Sequence, residues 1–292
     1  MDAPLDISKM NLDMVRGLLP RPGVGREFGD LGRLAIIGGS YLNMNPPMIS
    51  ALTAAKLSLD SIYLVIPERH ARIRGFPSIS ISPIFMPDFK ITKGVVNKII
   101  KYVKRRRINA DVFHIGPGMA GYKKYVSKLI EELSSFEGSL LLLDSGSLYP
   151  EVLDLELDWN RIIISPHEGE LKQFLGVENI SLDDVGGFSN GRYRVVAKLL
   201  DGIYFFDKNI NPSYHFRYST IQPTRYGSLY VYTGLLSGFL AYTHDIEKAV
   251  VLSQYTFMKT LENISENVCL HWEIEDLISG VKDTLKLLCL SN

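Results

Sequence analysis

Ile162-Ile163-Ile164-Ser165-Pro166-His167-Glu168-Gly169-Glu170 is the stretch on which the reading of the fold turns. Three β-branched apolar residues in a row predict the end of a buried strand. Pro166 has no backbone N–H to donate and so ends the ladder. Glu168 and Glu170 put carboxylates in the first turn of a predicted helix running to Leu175, where they suit the positive end of its dipole. The result is a strand, a sharp turn and a helix, with His167 at the turn. Ligands of open α/β sheets bind outside the carboxyl ends of strands, where such turns lie. From these residues alone His167 is either a helix cap or a ligand.

Working outward, apolar runs predict further strands at Leu34–Ile37, Ile62–Ile66, Asp111–Ile115, Leu140–Leu143 and Ile203–Phe206. Ile79–Ile84 reads as an edge strand, and Tyr214–Ile221 alternates enough for a β segment. Helices are predicted at Leu12–Leu19, from about Pro47 to Leu59, at Lys93–Val103 with Thr92 as N-cap, and up to Leu133. Further helices are expected at Gly191–Leu200, Leu235–Tyr242, Ile246–Leu261 and Trp272–Leu288. Strands alternating with helix-length segments predict an α/β fold, with a mostly parallel central sheet of seven, eight or more strands and helices on both faces. No linker or repeat interrupts the 292 residues, so one domain is expected over 1–292. Residues 1–30 form its N-terminal helix and coil, and 246–290 its C-terminal helices. Gly23-Val24-Gly25 is not read as a dinucleotide fingerprint, because its strand follows instead of preceding it.

Lys and Arg together number 32, as do Asp and Glu, so the formal net charge is zero. That argues against a nucleic-acid or acidic-membrane partner. The one dense basic run, Lys104-Arg105-Arg106-Arg107, falls at a helix end, where cations offset the dipole. The two cysteines, Cys269 and Cys289, have no metal-ligand spacing and read as apolar filler in a reducing compartment. No apolar segment is long enough to cross a bilayer or serve as a leader, so a soluble cytoplasmic protein is expected.

Four strand ends carry small or chemically capable residues: Gly38-Gly39-Ser40, Gly116-Pro117-Gly118, Asp144-Ser145-Gly146 and Ser165-Pro166-His167. On one rim they would form a binding cleft, with Gly39, Ser40 and Gly118 admitting a ligand to the backbone. Asp144, His167 and Glu170 would offer hydrogen bonds or proton transfer. No Gly-x-Ser-x-Gly elbow, His-Glu-x-x-His motif, Cys/His cluster or Walker loop is present, and no metal ligands are assigned.

These motifs resemble the ADP/ATP-dependent NAD(P)H-hydrate dehydratases, the ribokinase-like C-terminal half of the bifunctional NAD(P)HX repair enzyme. The resemblance covers roughly 28–242 and rests on Gly29-Asp30-Leu31-Gly32-Arg33, Ile36-Ile37-Gly38-Gly39-Ser40, Gly116-Pro117-Gly118, Asp144 and Ser165–Glu170. It implies a ribokinase-like fold and nucleotide-dependent dehydration of hydrated NADH or NADPH. The ring hydroxyl would be phosphorylated and phosphate then expelled. The implied partners are an NAD(P)H hydrate or related dinucleotide and ADP or ATP, with Mg2+ on the phosphates and assembly into a homo-oligomer. Gly118 and His167 would contact the substrate, and Pro46 stands where the family has an alanine. The chain is expected to have no room for the family's epimerase half; if such an activity exists here, it lies on another chain.

The departures lie at the phosphate end. The family's Lys-Gly pair is matched to Lys208-Asn209. Its Gly-Thr-Gly-Asp motif is covered by Tyr232-Thr233-Gly234, which puts Gly234 in place of the aspartate base and makes Thr233 and Gly234 an expected helix-start anion site. The catalytic base is therefore unassigned, since no Asp or Glu lies between Asp207 and Asp245. A helix start near Gly227-Ser228 is the other register. Two further readings stand beside the repair enzyme: a catalytically impaired nucleotide- or dinucleotide-binding homologue, and a small-molecule kinase of the ribokinase-like group. Tyr214, Phe216, Tyr218, Tyr226, Tyr230 and Tyr232 are either packing residues or a platform for a ring ligand, and Arg217 and Arg225 are candidate phosphate partners.

Overall fold

A computed structural model describes residues 4–19, 27, 29–68, 80–88, 90–218, 223, 225–268 and 271–289. The Gly23-Val24-Gly25 segment, the prolines 20 and 22 and Cys269 lie outside the described residues.

In chain order the elements are β1 (Leu5–Asp6), α1 (Leu12–Leu18), β2 (Arg33–Ile37), α2 (Asn45–Ala54), β3 (Ser61–Pro67), β4 (Ile81–Met86), α3 (Lys93–Lys104), β5 (Val112–Ile115), α4 (Lys123–Ser134), β6 (Leu140–Asp144), α5 (Pro150–Leu153), β7 (Ile162–Ser165), α6 (Glu168–Leu175), α7 (Leu182–Ser189), β8 (Arg194–Lys198), β9 (Gly202–Asp207), β10 (Tyr214–Arg217), α8 (Ser228–Thr243), α9 (Ile246–Val268) and α10 (Ile274–Cys289). They build one ten-stranded sheet in the order β1-β10-β9-β8-β7-β6-β5-β2-β3-β4. The run from β4 to β8 is parallel throughout. β9 is antiparallel to β8, and β10 is antiparallel to β9.

Both faces of the sheet are covered, which explains why the strands read as continuous apolar runs. Along β2, Leu34 and Ile36 join a core with α1, α2, α8, α9 and α10. Ala35 and Ile37 point the other way, into a core with α3, α4, α6 and α7. Thr92 caps α3 as expected, its side chain accepting from the Val95 N–H, and Lys104–Arg107 is an exposed helix end.

Two expectations are corrected. Gly191–Leu200 is not a helix: Arg194–Lys198 forms β8, a short run buried on both faces. Periodicity alone does not separate such a run from a buried helical segment. The helix of that region is α7, opened by a Ser181–Asp184 capping box. With β8 and the two-residue β1 added, the sheet has ten strands. Finally, α8 begins at Ser228, behind a left-handed Gly227 (φ 101°), and not at Leu235.

That register puts Thr233 and Gly234 inside a helix buried on nearly every side between α2 and α9. A Cβ on Gly234 would lie 2.6 Å from the Ser50 carbonyl oxygen and 2.9 Å from its Cα. Gly234 thus sets how closely α8 approaches α2. Gly234→Ala is expected to cost about 1–3 kcal/mol by overpacking, read as a lower urea midpoint with an unchanged slope.

Candidate functional site

The strands β2, β5, β6 and β7 are consecutive neighbours and parallel, so their four carboxyl ends share one rim. The rim is stitched by its own backbone: Gly39 N–H donates to the Pro117 carbonyl (2.8 Å), and Gly146 N–H to that of Gly116 (3.1 Å). Gly116 (φ 123°) is required by this packing, since a Cβ there would meet the Asp144 carbonyl oxygen at 1.6 Å. At Gly118 (φ 63°) a Cβ would lie 2.6 Å from the Asn43 carbonyl oxygen and 3.0 Å from Pro46. The glycines therefore let loops, as well as any ligand, approach.

Below the rim lies a buried ionic cluster. Asp144, at the end of β6, is 2.8 Å from the Lys198 ammonium at the end of β8, with side chains 0% and 2% exposed. His114 Nε2 on β5 lies 3.4 Å from the other carboxylate oxygen. Burial by itself would raise the Asp144 carboxyl, but Lys198 and His114 outweigh it and hold the group well below the usual carboxylate range. The Ser145 hydroxyl adds a 3.1 Å bond to Asp144.

His167 is the N-cap of α6. Its Nδ1 accepts from the Glu170 N–H (3.2 Å), and a Glu170 oxygen accepts from the His167 N–H (2.9 Å). The accepting Nδ1 assigns the proton of the neutral ring to Nε2. The side chain stays 48% exposed, so the cap and ligand readings are compatible. The Lys198 N–H donates to the Pro166 carbonyl (2.9 Å), tying this turn to β8. Burial and the Lys198 charge push the His167 imidazole down. Burial pushes the Glu170 carboxyl up to about 7, against the pull of Lys198.

The structure thus brings Gly39, Ser40, Pro46, Gly118, Asp144, His167 and Glu170 to one edge of the sheet, but it separates the expected nucleotide residues from it. β9 runs antiparallel, with Asp207 opposite Arg194, the first residue of β8. Lys208 and Asn209 therefore lie at the amino edge, where Lys208 reaches the Asn160 side chain. The lysine on the carboxyl edge is Lys198, the last residue of β8. It was missed because β8 was read as helix; Val195-Val196-Ala197-Lys198 was the available signal. His114, inside Val-Phe-His-Ile, was the other.

Thr233 and Gly234 are not a helix start. The start is Gly227-Ser228, so Gly234 lies inside the helix and not at its start. Ser228 is buried, its hydroxyl donating to the Arg225 carbonyl (2.8 Å). The N–H groups of Ser228, Tyr230 and Val231 are engaged by the Arg225 and Gly227 carbonyls. Tyr230, in this first turn, faces Ser145, Asp144 and Glu170; burial and the Asp144 charge push its phenol up to about 12. Among the described residues no group of three or more His, Cys, Asp or Glu side chains could hold a metal ion.

Two outcomes test this cluster. Lys198→Met leaves a buried carboxylate unpaired and is expected to cost about 3–5 kcal/mol in urea unfolding, with a large part recovered in Lys198→Met/Asp144→Asn. Glu170 holds its proton to about pH 7 in the folded chain, against an ordinary value of 4.5. Between these values the native state binds more protons than the unfolded one, so this group's contribution falls as pH rises. Wild type should lose on the order of 2–3 kcal/mol relative to Glu170→Gln between pH 4.5 and 8, measured as the difference between their unfolding free energies.

No protein-family model matches the chain. It is 24% identical over 282 residues to an ADP-dependent (S)-NAD(P)H-hydrate dehydratase of Nitrosopumilus maritimus, covering 94% of this chain and 95% of that one. It is 26% identical over 263 residues to the bifunctional NAD(P)H-hydrate repair enzyme of Dictyoglomus turgidum, which takes in 86% of this chain. The chain spans about half the length (49%) of that relative. Among solved structures, the ADP/ATP-dependent NAD(P)H-hydrate dehydratase of Bacillus subtilis, co-crystallised with ATP/Mg2+, superposes with a TM-score of 0.75 at 16% identity, covering 99% of each chain. A ribokinase-like protein of Enterococcus faecalis gives 0.74 at 13% identity, covering 96% of each chain. The chain thus shares the ribokinase-like fold and resembles the ADP/ATP-dependent NAD(P)H-hydrate dehydratases in sequence.

Proposed function

We propose that this chain dehydrates hydrated NADH and NADPH back to the reduced cofactors, consuming ADP or ATP. The observation that carries the reading is the continuous rim on β2, β5, β6 and β7, which combines the family's four strand-end motifs with the buried Asp144–Lys198 pair. The sequence relatives with this activity in their names support it.

The residues divide the work by their chemistry. Gly118 lets the Asn43 carbonyl and Pro46 pack directly on the rim backbone. His167, neutral near pH 7, presents Nε2–H as a hydrogen-bond donor to the substrate. Glu170, with its carboxyl near 7, exchanges a proton at working pH. Lys198 gives the rim a cation beneath the transferred phosphoryl group while balancing Asp144. Mg2+ would arrive on the nucleotide phosphates, which suits a cation that keeps several waters and needs few protein carboxylates. Arg225, 3.7 Å from Glu273, adds positive charge at the start of α8.

No helix among the described residues is long and apolar enough to cross a membrane. A cytoplasmic, homo-oligomeric enzyme is part of the same proposal, the oligomer supported by the family resemblance.

The purified chain is expected to restore the NADH absorbance at 340 nm, roughly the reduced-nicotinamide maximum, from hydrated NADH plus ADP or ATP, and His167→Ala to lower kcat/KM at least tenfold or so. Absence of turnover at micromolar enzyme would refute the proposal. Retained nucleotide binding in that sample would then make the chain a binding homologue.

A further inference from the structure

The six aromatic residues between Tyr214 and Tyr232 separate into two groups. Tyr214 stacks on Phe205 at 6.3 Å and bonds Glu247 through its hydroxyl. Phe216 is buried and meets Tyr218 edge-on at 5.3 Å. Tyr232 is fully buried against Phe257 at 5.6 Å. These four are packing residues.

Tyr226 and Tyr230 are different. Tyr226 is 62% exposed, a large ring left in solvent at the start of α8. Its hydroxyl donates to the Asn43 side chain (2.6 Å), and its ring meets that of Tyr230 at 6.4 Å with planes 70° apart. Gly227, left-handed at φ 101°, sets the turn that follows it. Tyr230 is anchored from two sides, by Ser145 at its hydroxyl and by the Ser50 hydroxyl at its carbonyl (3.1 Å). With 62% of the residue exposed, most of the Tyr226 side chain faces solvent.

The position of this pair indicates what it would stack. The Asn43 carbonyl packs on Gly118 next to Pro46, and Tyr230 faces Asp144, Ser145 and Glu170. All of these belong to the side of the rim where the dinucleotide is proposed to bind. A phenol ring held rigidly by hydrogen bonds gives a flat heterocycle a large contact with little ordering cost.

We propose that Tyr226, backed edge-on by Tyr230, is the stacking platform for the nicotinamide end of the dinucleotide. The inference rests on the function proposed above and adds a determinant of substrate affinity. Tyr226 is a binding residue and takes no part in proton or phosphoryl transfer.

Fluorescence titration with NADH tests this, with ADP-ribose, which lacks the nicotinamide, as the parallel ligand. Tyr226→Ala is expected to weaken NADH binding roughly tenfold or more, as loss of a stacked base does. Tyr226→Phe, which keeps the ring and loses only the Asn43 bond, should stay within about threefold. ADP-ribose binding should be unchanged in both, and the melting temperatures should match wild type. Unchanged NADH binding in Tyr226→Ala, an equal loss in Tyr226→Phe, or an equal loss for ADP-ribose would each overturn the platform. If wild type repairs hydrated NADH while Tyr226→Ala does so with unchanged KM, only the platform falls. If wild type neither binds NADH nor repairs the hydrate, the platform and the proposed function fall together.

Discussion

An ammonium and a carboxylate lie 2.8 Å apart in the interior, Lys198 at the end of β8 and Asp144 at the end of β6. Withdrawing each ion from water costs several kcal/mol, and only close pairing with further hydrogen bonds offsets it. His114 and Ser145 supply those bonds to Asp144. The pair reaches across β7, so it works only when three strands are in register. That register carries Pro166 and His167 to the rim, through the bond from the Lys198 N–H to the Pro166 carbonyl.

The rim inherits its electrostatics from this pair. Lys198 opposes a second positive charge on His167, whose ring is already partly withdrawn from water. Glu170 lies between a cation that favours its ionised form and burial that disfavours it, with burial prevailing. A neutral imidazole beside a carboxyl titrating near neutrality is an arrangement suited to donating hydrogen bonds and moving protons. The capping box of α6 fixes both side chains through backbone bonds. The same two residues therefore start a helix and present functional groups.

Helix α8 constrains the opposite side of the site. Its glycines at 234 and 238 let it pack closely on α2, and that packing sets where its first turn meets the rim. The turn carries the buried Ser228, and it places Tyr230 over Ser145.

The sequence by itself determined the α/β class, most of the strands and the four strand-end motifs. These depend on local features: apolar run length, proline and glycine placement, and capping chemistry between residues three apart. His167 and Glu170 were legible for that reason. Lys198 and His114 were not. A five-residue run buried on both faces has no periodicity that separates strand from helix, so β8 and its lysine were misplaced. The direction of β9, which removes Lys208 from the site, depends on sheet pairing between segments with no local mark. Only the tertiary structure decided which strand ends share a rim and which polar side chains meet beneath it, because a buried charge is tolerated only where distant parts of the chain bring its partner.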